Sequence, residues 1–302
     1  MGLRWTYLEA IPSSIGNLTN LQTLDLKHTY IRKLPAPIWK LWHLYLNQSY
    51  RSKFVQPSGA ALKNLQTLWG VFVDEDSPLN NGLNRLMNLR KLKLAFQLEP
   101  SRQKVLAEWI SDLNHLQSLR LRSIGQMGEP SDLHLKPLSN LKNLSSLYLL
   151  GRLKNPSIME QLPQSLTEVT LSASQLSNDP MPKLGKLPKL RSLCLYSGSY
   201  KGITMVCSID DFPQLLVLKL WMLDNLKSWD VQEGAMRNLR ELEIRSCNIL
   251  EIPTGLTRLE TLQELKLTNM PEDFNIKIQN KFAEAEEQYP DKLFTPSIMI
   301  KY

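Results

Sequence analysis

Cysteine is scarce in this chain: there are three, Cys194, Cys207 and Cys247. An odd count with no C-x-x-C pair argues against a disulfide framework and against a zinc site. Neither end carries the cysteine pair with which secreted repeat proteins often cap themselves. The four histidines, His28, His43, His115 and His134, have no metal-ligand spacing, so neither a metal nor a cofactor is expected. No apolar run reaches the roughly 18–20 residues of a membrane span. The first residues lack the apolar stretch and cleavage site of a secretory signal. Gly2 and Thr6 formally fit a myristoylation pattern, but Leu3 reads better as a core leucine. Nucleophile elbows, catalytic dyads and metal motifs are all missing from the apolar segments. No catalytic residue is therefore assigned, and the chain is not expected to be an enzyme.

Charge is also scarce once the signs cancel. The net charge is +7 over 302 residues, yet residues 1–60 alone account for +5. There Arg4, Lys27, Arg32, Lys33, Lys40, Arg51 and Lys53 face only Glu9 and Asp25. A chain that is basic only in its first fifth is not a uniform nucleic-acid binder, so no nucleic acid is expected. The basic segment suits an acidic protein surface.

What the chain has in abundance is leucine at fixed spacing. The pattern L-x-x-L-x-x-L-x-L recurs eleven times, with Val, Ile or occasionally another residue replacing Leu. Its third apolar position falls on Leu24, Leu44, Leu68, Leu92, Leu119, Leu147, Val169, Leu193, Leu218, Leu242 and Leu265, at intervals of 20 to 28 residues. Self-similarity at this period is the mark of leucine-rich repeats. The predicted fold is an α/β solenoid of about 12 repeats, a horseshoe with parallel strands on the concave face and short helices or turns on the convex face. Each unit buries its leucines against its neighbours, so residues 1–302 are expected to form one domain. Repeats fill 1–270, the first of them truncated, and 271–302 form a C-terminal cap. Met1-Gly-Leu3-Arg begins in mid-pattern and reads as a solenoid cut open, a fragment or a shortened gene product.

One repeat shows the logic. In Leu239-Arg-Glu-Leu242-Glu-Ile244-Arg, apolar and charged residues alternate, which means a short half-buried strand. Cys247 follows in the turn, where its side chain is expected to satisfy buried backbone groups and not to react. Cys194 lies between Leu193 and Leu195 on the outward side of its strand. Pro12-Ser-Ser and Pro253-Thr-Gly start a helical turn whose leucines point back at the strand. The short unit at 38–46 lacks one L-x-x step and is expected to alter curvature. The long units insert 96–108 and 122–137, which are expected to be surface loops. At the far end, the Ala/Glu-rich segment from Phe282 reads as a polar helix, and Thr295–Ile300 as an edge strand.

The outward strand positions are where a partner would sit. Lys91, Lys93, Arg120 and Arg122 form a basic patch on adjacent strands, and Tyr148, Tyr196 and Trp221 an aromatic stripe. With Tyr45, Trp69 and Arg245 they make up the expected partner-binding set, because Tyr, Trp and Arg dominate interface hot spots. Exposed strands also favour aromatics through β-propensity alone.

The strings Ile11-Pro-Ser-Ser-Ile-Gly-Asn-Leu-Thr-Asn-Leu-Gln-Thr-Leu-Asp-Leu26, Tyr30-Ile-Arg-Lys-Leu-Pro35, Phe212-Pro-Gln-Leu-Leu-Val-Leu-Lys-Leu220 and Glu233-Gly-Ala-Met-Arg-Asn-Leu-Arg-Glu-Leu-Glu-Ile244 resemble the leucine-rich-repeat region of plant intracellular nucleotide-binding disease-resistance proteins of the coiled-coil class. The resemblance covers essentially the whole chain. It implies a cytoplasmic region with two tasks: recognising a pathogen effector or a guarded host protein, and restraining the receptor through its own nucleotide-binding domain. The basic residues Arg32, Lys33 and Lys40 are the expected contacts for that second task. The family's phosphate-binding signature, G-x-x-x-x-G-K-[ST], is absent, so this chain is not the nucleotide switch. Two other readings compete: the ectodomain of a cell-surface receptor, and a cytosolic adaptor presenting substrates to a ubiquitin ligase. Three N-x-[ST] sequons, at Asn17, Asn47 and Asn143, are no more than chance supplies. No helix pair supports the adaptor.

Overall fold

Every one of the eleven repeat positions takes its place in a parallel ladder. The computed structural model describes residues 1–47, 53–54, 60–80, 82–288 and 295–301. Arg51, one of the seven cations of the basic segment, lies outside them. The chain divides into two compact units, Met1–Pro163 and Gln164–Tyr302.

The first unit holds six parallel strands: β1 (Thr23–Asp25), β2 (His43–Tyr45), β3 (Thr67–Val73), β4 (Lys91–Phe96), β5 (Ser118–Ser123) and β6 (Ser146–Leu150). Leu24, Leu44, Leu68, Leu92, Leu119 and Leu147 stand opposite one another from strand to strand. All six are buried, each stabilising the unit by roughly 1.5–3 kcal/mol. The short repeat keeps this register despite its missing step: Ile38 and Trp39 are buried, and Leu44 stays level with Leu24 and Leu68.

The second unit repeats the scheme with β7 (Glu168–Ser172), β8 (Ser192–Leu195), β9 (Val217–Trp221), β10 (Glu241–Arg245), β11 (Glu264–Thr268) and β12 (Ser297–Lys301). Val169, Leu193, Leu218, Leu242, Leu265 and Ile298 share one level. The expected terminal elements are both present: helix α3, the third α-helix of the chain after α1 (Pro100–Ser111) and α2 (Met181–Leu184), spans Glu272–Gln288, and β12 pairs in parallel with β11.

Where a strand ends, the chain must turn yet keep bonding to the next repeat. Ala173, Met222, Ser246 and Asn269 follow the ends of β7, β9, β10 and β11 and adopt left-handed backbone conformations. Each costs about 1–2 kcal/mol, but each N–H still donates to the neighbouring repeat, for instance Met222 to the Arg245 carbonyl at 2.7 Å. Cys247 sits fully buried just past one such turn, its Sγ 3.5 Å from the Arg245 carbonyl. Burial pushes its thiol up to about 11, which fits a structural role.

Behind the strands run short 3-10 turns, Ser13–Asn17, Ala36–Lys40 and Leu256–Arg258 among them, each following a Pro or Gly. Two details depart from the sequence reading. The insertion at 96–108 is not a loop: helix α1 (Pro100–Ser111) starts with Pro at its first turn and buries Leu106, Trp109 and Ile110. Apolar residues at helical spacing found a place to pack. Buried Gln103 in α1 accepts from the His134 N–H at 3.1 Å and donates to the Leu98 carbonyl at 2.9 Å, so the two insertions brace each other. Cys194 keeps its outward register beside Thr170 and Lys219 but is only 8% exposed.

Candidate functional site

The repeat places one outward side chain per strand at the same height. In the first unit that level reads Asp25, Tyr45, Trp69, Lys93, Arg120, Tyr148 across β1 to β6. Neighbouring strands lie about 4.8 Å apart, which brings several of these side chains within reach of one another. The Lys27 ammonium lies 4.6 Å from the centre of the Tyr45 ring. Lys93 and Arg120 both approach the Trp69 ring, at 5.6 and 5.5 Å, and Arg120 also reaches Tyr148 at 5.8 Å. Each such contact contributes about 0.5–1 kcal/mol at a partly exposed site. Arg122 stands one pleat further along β5, opposite Ala95, and Lys91 is exposed at the start of β4.

A β-bulge follows this row on β3. Register shifts between Trp69 and Val71, and Gly70 takes a φ of +90°. A Cβ there would sit 2.2 Å from the Leu46 carbonyl oxygen, so only glycine allows β2 and β3 to close up behind Trp69.

Like charges directly opposite on adjacent strands are destabilising, and Lys93 faces Arg120. Burial, then Arg120, Arg122 and Lys27, hold the Lys93 ammonium below its ordinary value. The sheet of this unit carries one carboxylate, Asp25, and Arg4 already engages it at 2.6 Å. Burial alone would raise that carboxyl, but the hydrogen bonds from Arg4 and the Lys27 N–H outweigh it, and it lies below the usual range.

The second unit differs. Tyr196, just past β8, stacks on Trp221 at the end of β9, ring centres 4.4 Å apart and 19° from parallel. Lys219 and Arg245 flank the Trp221 ring at 5.6 and 5.4 Å. Here two cations pair within the sheet: Lys219 with Glu243 at 3.1 Å and Lys266 with Glu264 at 2.6 Å.

The sequence-predicted set is thus divided. Tyr45, Trp69, Lys93, Arg120 and Tyr148 form one row, with Lys91 and Arg122 beside it. Tyr196, Trp221 and Arg245 cluster in the second unit, and in the first Tyr148 lies beside Arg120. Arg32, Lys33 and Lys40 are exposed and off the six-stranded sheet: Lys33 lies in a two-residue strand opposite Lys53, and Lys40 closes the turn Ala36–Lys40. Lys27 and Lys219 stand at outward positions beside an aromatic but are not in the expected partner-binding set. The sequence reading does not anticipate the ring pairs Trp5–His28 (3.7 Å) and Tyr7–Tyr30 (5.8 Å), which join segments more than twenty residues apart.

Among the described residues no group of His, Cys, Asp and Glu is placed to hold a metal ion, and no helix is long and apolar enough to cross a membrane.

Comparison with known proteins gives a consistent answer. A family model described as a leucine-rich repeat region matches residues 1–288. Among curated proteins, a disease resistance protein of Arabidopsis thaliana is 30% identical over 95% of this chain and 33% of its own length. A disease resistance RPP8-like protein of the same plant is 30% identical over 89% of this chain and 30% of its own. Disease resistance protein RPP8 is 28% identical over 88% and 35%. The chain spans about a third of the length of the curated relatives it matches.

Proposed function

This chain belongs to the leucine-rich repeat region family and is similar to that part of plant disease-resistance proteins; on that footing we propose that it is the recognition region of a plant immune receptor. It acts without catalysis, inside the cell, by binding proteins. Its strand face engages a pathogen effector or a guarded host protein. Its basic segment, through Arg32, Lys33 and Lys40, restrains the nucleotide-binding domain of the same receptor. Residues 1–302 act as one domain, repeats over 1–270 and a cap over 271–302.

The reading rests on the row Tyr45, Trp69, Lys93, Arg120 and Tyr148, with Lys91 and Arg122 beside it. Aromatics and arginines concentrated on one face are the residue types that carry interface energy. The cluster of Tyr196, Trp221 and Arg245 has the same character. Rim charges such as Arg32 and Lys33 tune encounter and restraint more than affinity. The test uses leaf tissue expressing the receptor that carries this region. Reversing Arg32 and Lys33 to Glu is expected to release signalling without a pathogen, seen as spontaneous cell death. Tyr196→Ala with Trp221→Ala is expected to leave the resting state quiet and abolish the pathogen-triggered response. The same phenotype from both pairs, or swapped phenotypes, refutes the division of tasks.

A further inference from the structure

We propose that the row Trp69–Lys93–Arg120–Tyr148, with Arg122 beside it, is built to receive an acidic segment of a protein partner, one that presents at least two carboxylate side chains. The inference rests on the functional reading above and names the chemistry of the partner at one of its surfaces.

Three observations carry it. The first is an imbalance of charge. Four cations, Lys91, Lys93, Arg120 and Arg122, lie on two adjacent strands, and among the described residues none of them makes a salt bridge. The sheet's one carboxylate, Asp25, sits at its far side and is taken by Arg4. The second unit differs: its Lys219 and Lys266 each pair with a glutamate on the same sheet.

The second observation concerns hydrogen bonding. The Nε atoms of Arg120 and Arg122 are both shielded from solvent and have no acceptor among the described residues. A guanidinium that has lost water from one donor without gaining a partner is under-satisfied. The Nη atoms of both side chains are not among the shielded, partnerless atoms, and they present the planar arginine fork that a carboxylate matches.

The third is preorganisation. Register holds Lys93 directly opposite Arg120, with Trp69 and Tyr148 on the outer strands of the four. The rings hold the Arg120 guanidinium at 5.5 and 5.8 Å from their centres, so its rotamer is restricted before any ligand arrives. A small anion needs only the cations. Aromatic shoulders on both sides add apolar area for the residues that flank an acidic pair in a peptide. Lys93 and Arg120 lie one strand spacing apart and Arg122 one pleat beyond, a layout that serves two carboxylates and not one.

The experiment measures fluorescence anisotropy of labelled ten-residue peptides with the purified chain at low ionic strength. One peptide carries Asp and Glu around a single Phe, and its twin carries Asn and Gln at the same places. The acidic peptide is expected to bind saturably, about tenfold or more tighter than its amide twin, and to weaken as salt rises. Arg120→Glu with Arg122→Glu is expected to weaken it by about tenfold or more, and Arg120→Lys by a smaller factor, since charge remains but the fork is lost. Lys104→Glu with Lys142→Glu makes the same change of net charge on exposed residues off the sheet and is expected to leave binding within about twofold. Circular dichroism melts check that each variant is folded. Equal affinity for the two peptides overturns the proposal, as does equal weakening by the off-sheet pair. Binding of inorganic pyrophosphate in the absence of any peptide binding also overturns it, in favour of a small-anion site. If it fails while Tyr196→Ala with Trp221→Ala still abolishes recognition in leaf tissue, the functional reading stands and only the partner's charge is wrong. If both fail, the strand face is not the recognition surface.

Discussion

Gly70→Ala is the single-atom change that links the fold of the first unit to its binding row. Two costs arise. The φ of +90° is open to glycine and costs alanine about 1 kcal/mol or more. The new Cβ would also meet the Leu46 carbonyl oxygen at 2.2 Å and its carbon at 2.9 Å. Both are backbone atoms, so no side chain can swing aside. Strands β2 and β3 must part, which breaks the 2.7 Å bond from the Leu46 N–H to the Trp69 carbonyl, worth about 1 kcal/mol net and more if the groups stay buried. The total is about 3–4 kcal/mol. For a unit of this size that lowers the midpoint of thermal unfolding by roughly 10 °C. Gly128→Ala is the matched control: its φ is +87°, but nothing lies within 4 Å of a Cβ there. It carries the conformational cost alone, a fall of roughly 2–4 °C. Melts followed by circular dichroism give both numbers. Equal shifts for the two variants, or no shift for Gly70→Ala, would falsify the argument that close approach behind Trp69 demands glycine. The variant is also expected to weaken binding at the row, since Trp69 moves relative to Arg120.

Further outcomes follow from other parts of the structure. Leu218→Ala empties a fully buried position in the second ladder and is expected to cost about 3–5 kcal/mol by chemical denaturation, whereas Ile209→Ala, 61% exposed, should stay within about 0.5 kcal/mol. The thiols of Cys207 and Cys247 are buried and pushed up to about 12 and about 11, so neither should react with a disulfide reagent at pH 8 until the chain unfolds; prompt labelling of either contradicts their structural role. The Asp132 carboxyl lies below its usual range: burial raises it, but Lys154 and Arg152 lower it more. A depressed carboxylate stabilises the fold above its unfolded value near 3.9 and loses that contribution as pH falls through the folded value. Denaturation midpoints of Asp132→Asn and the parent chain should therefore differ at pH 7 and converge toward pH 2; a constant gap across that range argues against the linkage.

The alternation of apolar and polar residues is a property of the chain's own backbone, and so the sequence carried it in full. Eleven repeat positions fall level in two ladders because each leucine is placed by a two-residue period inside its own strand. Stacking identical units leaves no other register that keeps those leucines dry. Cys247 was legible for the same reason, since it occupies a fixed place after the strand. Helix α3 and strand β12 were legible from composition. The cluster of Lys91, Lys93, Arg120 and Arg122 also followed from knowing which strands are adjacent.

What depended on which atoms fill the space between repeats was not legible. Insertion 96–108 became helix α1 because Leu106, Trp109 and Ile110 could pack there, and a local pattern does not reveal whether such a site exists. Cys194 is outward by register yet covered by its neighbours. Gly70 stands where its repeat should have a last leucine, and the reason appears only when the Leu46 carbonyl is seen beside it. Ring contacts form across adjacent strands, where Tyr148 meets Arg120 and Tyr196 stacks on Trp221. The sequence showed cations on both units without showing which are neutralised. That was decided by pairs such as Lys219–Glu243, whose members lie a whole repeat apart in sequence and one strand apart in space. A one-dimensional period fixes the height of each side chain; the distances between side chains at that height exist only once the repeats are stacked.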